Sequence, residues 1–510
     1  MRHNATVPYI SQLPAEILAE IFLYFEHQSR NYRSSFPFHW LLITFVCHRW
    51  RSVAQALPHL WSYVPMSNRK ELVAVFLRLS KEVPLSIVPG TWTQYLRLQC
   101  DSYETLALLS PEAPRIRSLR LCLHTDLLRE LISATVWDAP LLDSIDLELE
   151  RSSTAPDGCL AFLQSAPLPA LHSLRLAYFP GTFVRDFLRP TLTHLKISDP
   201  SLKLSVAEWL DALRALPLLE DLETMSSIDN GSYVTATTTS VKMCHLMHLM
   251  MIEDDPSPCT RLLDHLVLPQ CHMFNLRAFG NRPVTAEKCR GVFAAAASAL
   301  GDALMPRTCS LRLDRNAITV GLWQDVLPTS HNYYSWGRDA SNDCELSEHL
   351  HVVIFISHCT NPDVLPILVS VLPLSHVRTL RFENMDLTRS IRPLSALQEV
   401  DTLLYDCNHP FGLLQVLSEP QNGAPVPFPA LRQLTLRDAT WRSRYPMPSR
   451  SSEWIDVEWI SAILDARAKL GVPLDGLRLQ GLRNVRRAED LEWLESAPKR
   501  VRRFEWNAGR

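Results

Sequence analysis

The stretch Leu171-His172-Ser173-Leu174-Arg175-Leu176 sets the pattern for most of this 510-residue chain. Side chains alternate along an extended strand, so Leu174 and Leu176 lie on one face and Arg175 lies on the other. The same L-x-x-L-x-L spacing recurs along the sequence. The copies centre on Leu119, Ile145, Leu174, Leu195, Leu222, Leu249, Phe279, Leu311, Val353, Leu380, Leu403, Leu434, Leu477 and Phe504.

Helical stretches separate these copies, for example 205–216 and 457–470, the second ended by Gly471 and Pro473. Strands that alternate with helices predict an α/β fold with a parallel sheet. Most centres are 21 to 32 residues apart, close to the roughly 20–29 of a leucine-rich repeat. The chain resembles that family. The resemblance implies an irregular solenoid over 91–510 with an inner sheet and outer helices. The loops 225–239 and 331–346 are predicted to be disordered or inserted.

The N-terminal stretch Leu13-Pro14-Ala15-Glu16-Ile17-Leu18-Ala19-Glu20-Ile21-Phe22 predicts a helix with an unusually wide apolar surface. Its apolar positions cover an arc of roughly 180°, whereas a helix that rests on one core needs a stripe of about 100°. One side should therefore face the protein's own core, and another should face a second molecule.

A second apolar run, Trp40–Cys47, follows this helix and leads into His48–Ala54, and Leu57-Pro58-His59-Leu60-Trp61 closes the unit. In this order the segments resemble an F-box, specifically the fungal F-box-like form. The resemblance implies that 8–64 forms three helices and grips a Skp-type linker of a cullin–RING ubiquitin ligase. The residues implied in this contact are Leu13, Pro14, Ile17, Leu18, Ile21, Phe22, Val46, Cys47 and Trp50. The segment 26–39 is predicted to be a surface loop, and 65–90 a linking helix and first strand.

A second candidate site is the row of residues between the last two apolar positions of each repeat. The row reads Arg120, Asp146, Arg175, Lys196, Glu223, Met250, Arg312, Arg381, Leu404, Thr435 and Arg478. Six basic side chains against two acidic ones suggest recognition of an acidic or phosphorylated segment of a substrate protein, through bidentate Arg contacts. The alternative is that these residues only keep an exposed strand soluble.

Composition narrows the class of protein further. A hydrophobic content of 46% with 21% charged residues is typical of a globular chain. A net charge of −3 and a pI near 6.7 argue against nucleic-acid or membrane-surface partners. Twelve cysteines without a regular framework favour reduced thiols in the cytoplasm or nucleus.

Motifs for catalysis and cofactor binding do not assemble in the sequence. Gly471–Gly476 has the glycine spacing of a P-loop, but Leu477 stands where Lys is required. The Cys244–His248 stretch matches no zinc module and falls on a repeat strand. The two resemblances imply an adaptor, and the missing motifs predict that it is not an enzyme and needs no cofactor or metal. The open alternative is a repeat scaffold that recruits proteins without ubiquitin transfer.

Overall fold

The computed structural model describes most of the chain in two compact units, 1–204 and 205–510. The described residues are 13–31, 38–66, 69–89, 103–123, 137–151, 160–231, 239–280, 283–314, 317–326, 351–359, 364–383, 394, 397–406, 413, 416–417, 426–438, 440–441, 454–455, 457–482 and 501–508. Of the two predicted segments 225–239 and 331–346, residues 232–238 and the whole of 331–346 lie outside the described residues.

The first unit begins with a helical bundle and continues into a sheet. Its helices are α1 (Ala15–Asn31), α2 (Ile43–Val46), α3 (His48–Gln55), α4 (Lys70–Ser80), α5 (Tyr103–Leu109), α6 (Ala161–Gln164) and α7 (Thr182–Phe187). Short 3-10 helices cover His39–Leu42, Pro58–Trp61 and Ser110–Arg115. The strands are β1 (Tyr63–Met66), β2 (Leu85–Pro89), β3 (Ile116–Leu123), β4 (Ser144–Leu149), β5 (Ser173–Ala177) and β6 (His194–Ser198).

All six strands of the first unit run parallel and neighbour one another in chain order. The predicted apolar row is in register, because Leu119, Ile145, Leu174 and Leu195 are successive partners across β3 to β6 and are all buried. Strand β1 pairs with β2 directly after the bundle. The predicted division after residue 64 therefore falls within a strand of the sheet.

The predicted surface loop 26–39 is wrong over its first six residues. Helix α1 continues to Asn31 because Glu26 and Ser29 lie on its inward side and are buried. The Ser29 hydroxyl donates to the Phe25 carbonyl at 2.8 Å. Phe38 and Trp40, which follow residues 32–37, are also buried.

The second unit repeats the strand–helix alternation. Its helices are α8 (Val206–Arg214), α9 (Pro256–Leu263), α10 (Ala286–Leu300), α11 (Val364–Val371) and α12 (Val457–Lys469), with a 3-10 turn at Gly301–Ala303. Its strands are β7 (Asp221–Met225), β8 (Val241–Lys242), β9 (His248–Glu253), β10 (Leu266–Val267), β11 (Met273–Ala278), β12 (Thr308–Asp314), β13 (Ala317–Trp323), β14 (His351–Ser357), β15 (Thr379–Glu383), β16 (Thr402–Asp406), β17 (Gln433–Arg437), β18 (Thr440–Trp441), β19 (Trp454–Ile455), β20 (Gly476–Leu482) and β21 (Arg503–Ala508).

Local signals explain the ends of two predicted helices. Ser205 caps α8 in a capping box, in which its hydroxyl accepts from the Glu208 backbone and the Glu208 carboxylate accepts from the Ser205 backbone. After α12, Gly471 adopts a left-handed conformation with φ +75°, which glycine enters without steric cost. The P-loop-like spacing that starts at Gly471 is thus a helix stop followed by strand β20.

The main sheet of the second unit departs from chain order at one place. Strand β11 is followed in space by β14, then β13, then β12, and only then by β15. Strand β13 is antiparallel to both of its neighbours, whereas the other pairings in this sheet are parallel. The fold is therefore mixed α/β and mostly parallel, as predicted, with an inserted reversal that the repeat pattern does not indicate.

Three predicted repeat centres are out of register with their neighbouring strands. The partner of Leu249 is Phe274, so Phe279 lies just beyond β11 and is exposed. Phe274 pairs with Val352 and not with Val353. The partner of Leu380 is Cys309 and not Leu311, because the hairpin β12–β13 sets the alignment of β12.

Candidate functional site

Helix α1 carries two adjacent apolar stripes, and the inner stripe belongs to the bundle core. Leu18 and Phe22 are buried, and the Phe22 ring lies 5.1 Å from that of Trp50 in α3. Leu18 and Phe22 were predicted to contact a linker. That prediction is wrong, because positions four apart share one side of a helix and the side that carries these two residues packs against α3.

The outer stripe of α1 faces solvent. Ile17 is 47% exposed, and Ile21, Tyr24 and Phe25 are also exposed. Pro14, one turn before Leu18, is exposed too, while Leu13 is half-buried. The wide arc predicted for this helix therefore has one side on the bundle core and one side in water.

A second exposed apolar group follows in the short helical run before α3. Phe45 is 74% exposed, and Leu42 and Val46 are also exposed, whereas Trp40 and Ile43 are buried. We refer to the two groups together as the outward apolar surface. Its members are Ile17, Ile21, Tyr24, Phe25, Leu42, Phe45 and Val46.

Cys47 separates the second group from α3 and fixes its direction. Its backbone is extended, with φ −159° and ψ 171°, and its thiol accepts a hydrogen bond from the Trp50 backbone at 3.5 Å. It thus serves as the N-cap of α3. Cys47 is exposed and Trp50 is half-buried, and the contact with a linker predicted for both stays a prediction.

Two arginines of α3 tie the exposed segments together. The Arg49 guanidinium donates to the Leu13 carbonyl just before α1. Arg51 Nε donates to the Thr44 carbonyl in α2 at 2.9 Å. The start of α1 and the end of α2 are therefore held by the same helix, which places both apolar groups on one support.

The amount of exposed apolar side chain here is unusual for the molecule. Half of the fourteen strongly exposed large apolar residues among those described lie between 17 and 46. The sequence predicted a contact at Ile17, Ile21 and Val46 but not at the other four members, Tyr24, Phe25, Leu42 and Phe45. Clustered exposed apolar groups of this kind mark interaction sites.

The polar row of the first unit is in register as predicted, but its charges are paired within the sheet. Arg120, Asp146, Arg175 and Lys196 are successive strand partners. Asp146 lies between two arginines, with its carboxylate 3.0 Å from Arg120 Nε and 3.5 Å from Arg175 Nε. The excess of positive charge on this face is therefore smaller than the sequence indicates.

In the second unit, Arg381 is buried and not accessible. It is 1% exposed, with its guanidinium 2.7 Å from Glu383 and 3.7 Å from Asp406. Burial raises the pKa of the Glu383 carboxyl, although the nearby arginines oppose that shift. The prediction that Arg381 is available to a substrate is wrong, because this part of the sheet is covered on both faces.

The remaining two arginines of the predicted row differ in placement. Arg312 pairs with Glu383, so it lies two residues along the strand from the level of Arg381 and outside the predicted row. Its position in the row is taken by Ser310. Arg478 is in the row but bonded to Glu505 of β21 at 2.6 Å.

In the part of the chain that the structure describes, no group of three His, Cys, Asp or Glu side chains could hold a metal ion. None of the helices in the described ranges has the length and apolar character needed to cross a bilayer. All eight cysteines for which the structure gives a state are free thiols.

Comparison with known proteins adds no family assignment. No protein-family model matches the chain, and no curated protein matches it either.

Proposed function

We propose that this protein is a substrate-recognition adaptor of a Skp–cullin–F-box ubiquitin ligase. In this proposal the N-terminal bundle is an F-box-like domain that binds a Skp-type linker. The rest of the chain is an irregular leucine-rich-repeat solenoid that holds a substrate protein. The adaptor carries out no chemistry itself, and its effect is to raise the local concentration of substrate near a bound ubiquitin-conjugating enzyme.

The outward apolar surface is the observation that supports this proposal. Burying each of its large side chains against a partner would contribute roughly 1.5–3 kcal/mol before the cost of association. Ile17, Ile21 and Val46 of this surface belong to the motifs that resemble an F-box. The same residues thus carry the resemblance and the exposure.

Reconstitution with purified proteins tests the proposal. The full-length chain is mixed with a Skp-type linker and a cullin and recovered through a tag on the chain. We expect the wild type to retain both partners. Ile21→Asp and Phe45→Asp should each lower linker retention by at least about tenfold, because a charge would be buried in an apolar contact.

Leu202→Asp is the matched control, since Leu202 is 60% exposed in the first unit but lies outside the bundle. This variant should retain the linker as the wild type does. Retention of linker without cullin would favour the recruitment scaffold over the ligase adaptor. A wild-type chain that retains no linker would refute both the docking role and the adaptor.

A further inference from the structure

Strand β11, whose predicted centre Phe279 is replaced by Phe274, carries an arginine that the predicted row does not contain. In β11, Phe274, Leu276 and Ala278 are buried, and the alternate residue Arg277 points to the opposite face. Its strand partners are Ile252 in β9 and Phe355 in β14. All three side chains are partly exposed.

An aromatic pair lies directly beside Arg277. Phe279 follows two residues later and is 47% exposed. Its ring lies 5.0 Å from that of Phe355, at an angle of 41°. Aromatic and arginine side chains are the residue types that contribute most at protein interfaces.

Arg277 differs from the arginines of the predicted row in its charge environment. Its Nε donates to the Asn275 side-chain oxygen at 3.1 Å. Among the described residues no carboxylate pairs with it, and burial alone lowers the pKa of its guanidinium. Arg120, Arg381 and Arg478, by contrast, each face a carboxylate across the sheet or along the strand.

Of the three consecutive carboxylates at the end of β9, Asp254 is exposed, and the other two are used elsewhere. Glu253 lies on the opposite face of β9, where it accepts from the backbones of Ser227 and Ile228 at 2.8 and 3.1 Å. Asp255 caps α9 and pairs with Lys288. A half-buried cation next to exposed apolar rings is thus left for a group from outside this part of the chain.

The geometry indicates which group fits. Because Nε is engaged by Asn275, the guanidinium presents its two Nη groups, which suit a planar carboxylate in a bidentate contact. One positive charge balances one carboxylate, whereas a phosphate dianion would retain an unbalanced charge. The adjoining rings of Phe279 and Phe355 offer an apolar side chain a place to pack.

We propose that the polar face around Arg277, Phe279 and Phe355 binds an extended acidic peptide segment. An Asp or Glu of that segment pairs with Arg277, and a neighbouring apolar side chain packs on the two phenylalanines. This inference rests on the proposed function only in calling the bound segment a substrate, and it names the chemical class of that substrate.

Selection from a displayed library of random 12-residue peptides on the purified full-length chain tests the inference. We expect the selected peptides to contain Asp or Glu beside a large apolar residue. A synthetic peptide of this kind should bind Arg277→Gln and Phe279→Ser at least about tenfold more weakly than wild type. Arg277→Lys should recover part of the affinity, and Arg432→Gln, at an arginine outside the predicted row that pairs with Asp475, should bind like wild type.

A second peptide, with its acidic residue changed to Asn or Gln, completes the cycle. It should bind wild type weakly and lose nothing further on Arg277→Gln. An empty selection, or equal binding of the acidic peptide to wild type and Arg277→Gln, would overturn the inference. So would a preference of more than about tenfold for phosphoserine in place of the acidic residue. None of these measurements involves the linker, so this inference and the docking role can fail separately.

Discussion

The ring of Phe22 in α1 lies 5.1 Å from the ring of Trp50 in α3, at an angle of 57°. A tilted aromatic pair of this kind contributes beyond its buried area. The contact orients α1 on the bundle, and it therefore determines that Leu18 is turned inward while Ile17 and Ile21 are turned outward.

Phe22→Ala should accordingly destabilise the bundle. Removal of a buried phenylalanine costs about 3–5 kcal/mol, because apolar contacts are lost and a cavity is left. Tyr24→Ala, two residues away but exposed on the outer stripe, should change stability by less than about 0.5 kcal/mol. Urea unfolding followed by tryptophan fluorescence, with amide hydrogen exchange of α1 as the local readout, measures both. Similar effects of the two substitutions would contradict the assignment of the stripes.

Arg381→Met should be far more damaging than Arg120→Met. The buried arginine compensates Glu383 and Asp406, and removing it leaves two carboxylates in a poorly solvated place, at a cost of about 3–5 kcal/mol. Arg120 pairs with Asp146 in a more exposed setting, where an ion pair contributes about 0–1 kcal/mol. Denaturant unfolding of the two variants tests this, and equal losses would show that the two arginines have similar surroundings.

The pH dependence of stability should contain a contribution from His351. Its ring stacks on Trp323 at 5.1 Å, and burial lowers its pKa to about 4. In the unfolded chain the pKa is about 6.5, so between these values the unfolded state binds more protons. The free energy of unfolding should therefore fall by up to roughly 3 kcal/mol as the pH drops from about 6.5 to 4.

Comparison of wild type with His351→Phe isolates this contribution. The unfolding free energy of the wild type minus that of the variant should decrease toward low pH. His248→Gln gives the opposite sign, because a hydrogen bond to Asp221 raises the pKa of His248. The stabilisation by His248 is fully present below the unfolded pKa and is lost as the pH rises through the folded value. A pH-independent difference for His351→Phe would contradict the burial of its ring.

Much of the architecture follows from local sequence signals. The helices near 205–216 and 457–470 form where caps and apolar periodicity predict them, and the L-x-x-L-x-L centres of β3 to β6 are in register. These features depend on interactions between residues a few positions apart. A single sequence displays such interactions directly.

The tertiary structure alone decided which of these residues are accessible and which charges remain uncompensated. Leu18 and Ile17 are adjacent and equally apolar, yet α3 covers only one of them; Arg120 and Arg381 occupy equivalent repeat positions, yet only the second is buried. The β12–β13 hairpin sets the alignment of β12. The pairing of β11 with β14, which the repeat pattern does not predict, places Arg277 beside Phe355. Burial and pairing depend on segments distant in the chain, and no local pattern encodes their positions.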